Sequence, residues 1–175
     1  MTPLKITKNE AIIDFTNSAL TKFLIKLSVG VEQSDERIIG SYFHVLNDLE
    51  RIGDHAENFH EIAVEMRSKK IAFSDKARGE IDDMRDHVIQ MFAISKDAFE
   101  NLNRDRLPEL TALEDQVDEE KRVLIASHFA RLADGNCNVD VSPYYSSVIL
   151  GLERVADHLV NVGYSIVNPT GSQKD

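Results

Sequence analysis

LERIGDHAEN at residues 49–58 and LERVADHLVN at residues 152–161 share the frame LERxxDHxxN at an offset of 103 residues. Most of the shared positions are polar, so the likeness is more than two helices having the same apolar stripe. It marks the chain as built from two repeats. A second match lies on the segments that precede the motifs. Glu10 and Asp14 correspond to Glu114 and Asp118 at an offset of 104 residues.

The chain has 175 residues, enough to bury a sizeable core as one domain or as two packed halves. It has no Trp and 7% aromatic residues, so the core is expected to be aliphatic. With 30 acidic against 20 basic residues the formal charge is -10, which leaves no basic field for a phosphate backbone; no nucleic-acid partner is expected. Cys137 stands alone and forms no internal disulfide. No apolar run has the length of a membrane span, and the N-terminal MTPLKITKNE lacks the apolar stretch of a signal peptide. The expected location is cytoplasmic, or the cytoplasmic face of the inner membrane if the chain is a soluble piece of a transporter.

Eight Gly and four Pro, with long stretches of helical apolar spacing and no alternation of strand type, predict an all-α fold of five main helices. The first is expected over residues 9–28, with Ile12, Ile13, Leu20, Phe23, Leu24 and Leu27 as its apolar face. The second starts near Ser34, a candidate N-cap, and runs to Ser68. Ser74 caps a third helix reaching Leu102. A fourth covers 107–132, with Pro108 in its first turn. Residues 133–141 read as loop, and Ser142 with Pro143 opens a fifth helix that ends before Pro169. Helices one and two repeat as four and five, whereas the third has no counterpart ahead of the first. The expected units are an incomplete repeat over 7–68, a complete one over 74–168, and a disordered tail over 169–175.

Each half carries Glu-x-x-x-Asp on two successive helices: Glu10 with Asp14, Glu50 with Asp54, Glu114 with Asp118, and Glu153 with Asp157. An i, i+4 spacing puts both acids on one face, where they repel by a few tenths of a kcal/mol unless a cation lies between them. Two such pairs on neighbouring helices offer oxygen ligands suited to Mg, Mn, Ca or Fe. At about 100° per residue, Val45, Leu49, Ile52, Ala56, Phe59 and Ala63 centre about 220° from Glu50, so the acids oppose the core and a metal cluster would sit on the bundle surface. The same geometry describes an ordinary solvated helix face, and both readings stand at this point.

His55 and His158 fall off the carboxylate face and read as packing or hydrogen-bonding residues, as do Asn58 and Asn161. Arg51 and Arg154 are either partners of the acids or plain surface charges. Glu57-x-x-His60 has the spacing used by di-iron carboxylate enzymes, but the other half has Val160 and Gly163 in those places. Asp82 and Asp86 read as surface. Cys137 has no local arrangement of a nucleophile, and no glycine-rich phosphate loop occurs.

The paired LERxxDH motifs, each preceded by Glu-x-x-x-Asp on the previous helix, resemble the PhoU family over residues 7–168. The resemblance implies two three-helix repeats, with the first helix of repeat one missing here. It also implies surface acidic motifs holding a multinuclear metal cluster of iron or zinc, with Glu10, Asp14, Glu50, Asp54, Glu114, Asp118, Glu153 and Asp157 as ligands. The implied role is non-catalytic negative regulation of phosphate uptake through a membrane phosphate transporter. The missing helix makes the chain most similar to the cytoplasmic PhoU-like domain of bacterial sodium/phosphate cotransporters, whose membrane part would then be its partner. A groove shaped for three helices and supplied with two needs a cover, expected to be a homodimer or a helix from another copy. Two other classes remain: a helical carboxylate metalloenzyme, and a helical dimerisation module whose acids are only solvated.

Overall fold

A computed structural model describes residues 3–135 and 137–167. Among them the fold is all-α: α1 (Pro3–Leu27), α2 (Gln33–Ser68), α3 (Asp75–Asn101), α4 (Leu107–Ala133) and α5 (Ser142–Tyr164), with a single 3-10 turn (Val139–Val141) before α5. The five expected helices are all present. The tail expected over 169–175 lies outside the described residues.

Helix ends show where local rules held. Ser74 caps α3, its hydroxyl accepting from the Ala77 N–H at 3.2 Å. The N-cap position of α2 is Glu32 and not the expected Ser34, since the helix already starts at Gln33, and the Glu32 carbonyl accepts from the Asp35 and Glu36 N–H groups. Ser142 opens α5, but its hydroxyl meets His128 Nε2 at 2.8 Å instead of closing the helix end. α1 begins at Pro3, ahead of the expected Asn9, with proline tolerated in a first turn. α5 stops at Tyr164, so Ile166, expected in the helix, packs from the following turn.

α5 is the hub, packing on α2, α3 and α4; α1 packs on α2, and α3 on α4. The core lies in the second half, where Met84, Met91 and Ile94 of α3, Leu110 and Val117 of α4, and Tyr145, Ile149, Leu159 and Val160 of α5 are fully buried. Ser95 sits in this core and donates to the Leu159 carbonyl at 2.7 Å. The halves join where α2 crosses α5. A Cβ at Gly151 would lie 2.6 Å from Phe59 Cε1, so the glycine is what admits the α2 aromatic.

The first half is covered less than its apolar pattern suggested. Of the six residues expected to form the buried face of α1, only Leu24 is buried; Phe23 is 59% exposed and Ile12 53%. On α2, Val45 is buried and Ile52 and Phe59 pack against the core, whereas Leu49 is 41% exposed and Ala56 and Ala63 are open to solvent. Periodicity identifies an apolar face but not what lies against it. In the second half α3 lies over α4 and α5; among the described residues no helix precedes α1 to do the same for α1 and α2.

Candidate metal centre

α1 and α2 bring the first two acid pairs together as their shared spacing suggested. Glu10 is half-buried, and its carboxylate rests on the α2 backbone: a Cβ at Gly53 would lie 3.1 Å from its Oε2. Partial burial, followed by the charges of Asp14, Glu57, Asp54 and Glu50, raises the Glu10 carboxyl above the usual carboxylate value. Glu57, one turn beyond Asp54, is therefore a fifth acid in this field. The repeat comparison passed over it because its counterpart is Val160.

Two side-chain hydrogen bonds and one loose ion pair surround this cluster among the described contacts. Asn17 Nδ2 donates to Glu50 Oε2 at 3.2 Å, and Thr21 Oγ1 donates to Asn17 Oδ1 at 3.3 Å. Arg51 stands 3.6 Å from Asp54 with its side chain 66% exposed, where an ion pair contributes little. Oxygen donors that repel one another are the donor set a hard or borderline cation accepts. Among the described residues, no three acidic, histidine or cysteine side chains already converge on one point that an ion would occupy.

The second cluster is assembled differently. Lys121 of α4 donates to Asp118 Oδ1 at 2.9 Å and to Glu153 Oε1 on α5 at 2.6 Å. Burial lowers the Lys121 pKa, but the hydrogen bonds it donates to Glu153 and Asp118 outweigh this and raise it above the ordinary value. Asp157 is raised by desolvation and by Glu153 and Asp118, opposed by Lys121 and His158. Glu114 is half-buried on α4, on the same helix face as Asp118.

The remaining motif residues are structural. His158 Nδ1 lies 2.8 Å from Asp48 Oδ1, and Asn161 Nδ2 donates to the same oxygen at 3.3 Å, tying α5 to α2. Their equivalents on α2 face Gly151 where a second aspartate would stand, so the tie is made once. The His55 ring lies 6.0 Å from His158, and its pKa is lowered by burial, by His158 and by Arg154. Asp48 was invisible as a partner because the pairing crosses helices far apart in sequence.

Two other groups emerge only in three dimensions. Arg131 of α4 makes a bidentate pair with Glu80 of α3 at 2.8 and 2.9 Å, and the Tyr145 hydroxyl of α5 donates to Glu80 at 2.7 Å. This network pins the three helices of the second half. Beside it, a cavity of about 380 Å³ is lined by Phe73, His128 and Cys137 among others, with Cys137 Sγ 3.8 Å from His128 Nδ1. The fold thus supplies Cys137 with a histidine neighbour that the local sequence lacked.

The molecule is thus an all-α bundle of two related halves, each carrying a LERxxDH motif on its second main helix. The PhoU domain model matches residues 4–63 and 81–166, and the chain belongs to the PhoU family. It is similar to the phosphate-specific transport system accessory protein PhoU homolog 1 of Thermotoga maritima, 28% identical over 69% of this chain and 51% of that protein. It is also similar to the PhoU homolog of Clostridium acetobutylicum, 27% identical over 97% of this chain and 78% of the relative. The chain thus matches about half the length of one curated relative and about four-fifths of the other. The phosphate transport system regulatory protein PhoU of Streptococcus pneumoniae has the same fold, with a TM-score of 0.81 at 22% identity, covering 97% of this chain and 80% of that one. These relatives are named as accessory and regulatory proteins, not as enzymes.

Proposed function

We propose that the chain is a non-catalytic regulatory unit of phosphate transport that acts on a membrane phosphate transporter from the cytoplasmic side. The observation that carries this reading is membership of the PhoU family along both halves of the chain, supported by relatives named for phosphate transport systems. Among the described residues no helix is long and apolar enough to cross a membrane. A transporter, whether a sodium/phosphate cotransporter or another carrier, therefore meets it as a surface.

Glu10, Asp14, Glu50 and Asp54 are the residues that would hold a metal in the first half. A bound cation supplies the positive charge that this field of carboxylates lacks. The acids themselves do the rest: drawn together, they fix α1 against α2 and so set the shape of the groove between these helices. That groove, of about 410 Å³, is lined by Ile12, Leu20, Leu46, Leu49, Ile52 and Phe92 among others. It occupies the place in the first half that α3 fills in the second. Its proposed occupant is a second copy of the chain, since a twofold pairing of the same apolar face closes both grooves at once.

Uptake of labelled phosphate tests the regulatory reading. Cells lacking the chain should show altered uptake, restored by the wild type and not by the Glu50→Gln, Asp54→Asn variant. Uptake indifferent to loss of the chain would overturn the reading.

A further inference from the structure

The two acidic clusters occupy equivalent places in the repeats, yet three positions around them differ in one direction. Asn17 and Lys121 correspond at the offset that relates Glu10 to Glu114, and they reach corresponding glutamates. The Asn17 amide donates to Glu50 at 3.2 Å, and the Lys121 ammonium to Glu153 at 2.6 Å. Because Lys121 also holds Asp118 at 2.9 Å, one ammonium links an α4 carboxylate to an α5 carboxylate, where an ion bridging the helices would bind. Glu57 corresponds to Val160, which is 2% exposed, so the first half has an acid where the second has a core residue. Gly53 corresponds to Ala156: the first half leaves room for Glu10 on the α2 backbone, and the second puts a methyl group at that position.

Electrostatics gives these differences a direction. The first cluster has five acids, with an exposed arginine 3.6 Å from Asp54. The second has an ammonium whose side chain is 26% exposed and which touches two of its carboxylates. A divalent ion entering there must strip Lys121 of both partners and then repel it at short range, whereas in the first cluster it meets a neutral amide on Glu50 and an exposed, loosely paired arginine on Asp54.

We propose that Lys121 takes, in the second half, the place that a metal ion takes in the first. The acids Glu114, Asp118, Glu153 and Asp157 then form a lysine-closed structural cluster, and the chain's capacity for cations resides with Glu10, Asp14, Glu50 and Asp54. This rests on the metal reading of the first cluster. The departure from the eight-ligand expectation lies in one residue that the aligned halves do not share.

Calorimetric titration with Mn2+ alone and metal-free thermal melts of the same proteins test it. Asn17→Lys should weaken Mn2+ binding by about 10- to 100-fold, the range for altered surroundings of a metal ligand. Lys121→Asn should keep the wild-type event and add a second one. With chelator present, Asn17→Lys should melt above the wild type and Lys121→Asn below it. Mn2+ bound equally by the wild type and both variants, with unmoved melts, would overturn the proposal. Wild-type protein that binds no Mn2+ but shows the stated melting shifts would sink the metal reading of the first cluster, leaving Lys121 as the internal cation of the second.

Discussion

His128 is 1% exposed in the second-half core, with its ring stacked 4.5 Å from Tyr145 and its Nε2 on Ser142. Burial, then the Arg131 charge, lowers its pKa below the ordinary 6.5, against the pull of Glu80. In the unfolded chain the imidazole takes its proton first as pH falls. The neutral form therefore stabilises the fold fully above the ordinary value and loses that contribution as pH drops through the folded value. His128 and His55, both lowered, pull the melting temperature down from pH 7 to pH 5, while the raised Glu10 and Asp157 carboxyls act the other way; His128→Gln should therefore shift the change in melting temperature over this range upward. An unchanged slope in His128→Gln would remove this residue from the acid sensitivity. At this scale much of the first cluster was legible, because the motif's i, i+4 acids fix a helix face from spacing alone. Lys121 was passed over, although its position seven residues after Glu114, on the face of Asp118 and opposite Asn17 in the alignment of the halves, is a signal that could have found it. Asp48 and the Glu80–Arg131–Tyr145 network were not legible, because their partners come together only through helix packing.

The α1–α2 pair shows what periodicity cannot convey. Its apolar residues repeat with the helical period, yet Phe15 is 76% exposed and Leu20 42%. The repeat shows α3 without a counterpart ahead of α1 in this sequence, and the described α1–α2 face carries an open groove. An exposed apolar face of this extent is what protein–protein contacts use. Burying a Leu or Ile side chain contributes about 1.5–3 kcal/mol. Ile12→Glu with Leu49→Glu should therefore weaken self-association about 100-fold or more. Sedimentation at micromolar concentration should show a wild-type dimer and a folded monomeric variant. A wild type that sediments as a clean monomer would contradict the dimer.

Across the whole molecule the two halves share a motif but not a condition. The second is a closed three-helix unit with the core, a pinned Arg–Glu–Tyr network and an acid cluster answered by its own lysine. The first is an open helix pair with a groove and five acids gathered around Glu10. The chain belongs to the PhoU family, and the proposed cation response and docking both fall in the first half. Elemental analysis of protein purified without chelator or metal-affinity columns tests this most directly. The account predicts a transition metal in the wild type and in Glu153→Gln, and its loss in the Glu50→Gln, Asp54→Asn variant. Metal retained in that double variant, or lost on changing Glu153 alone, would contradict it.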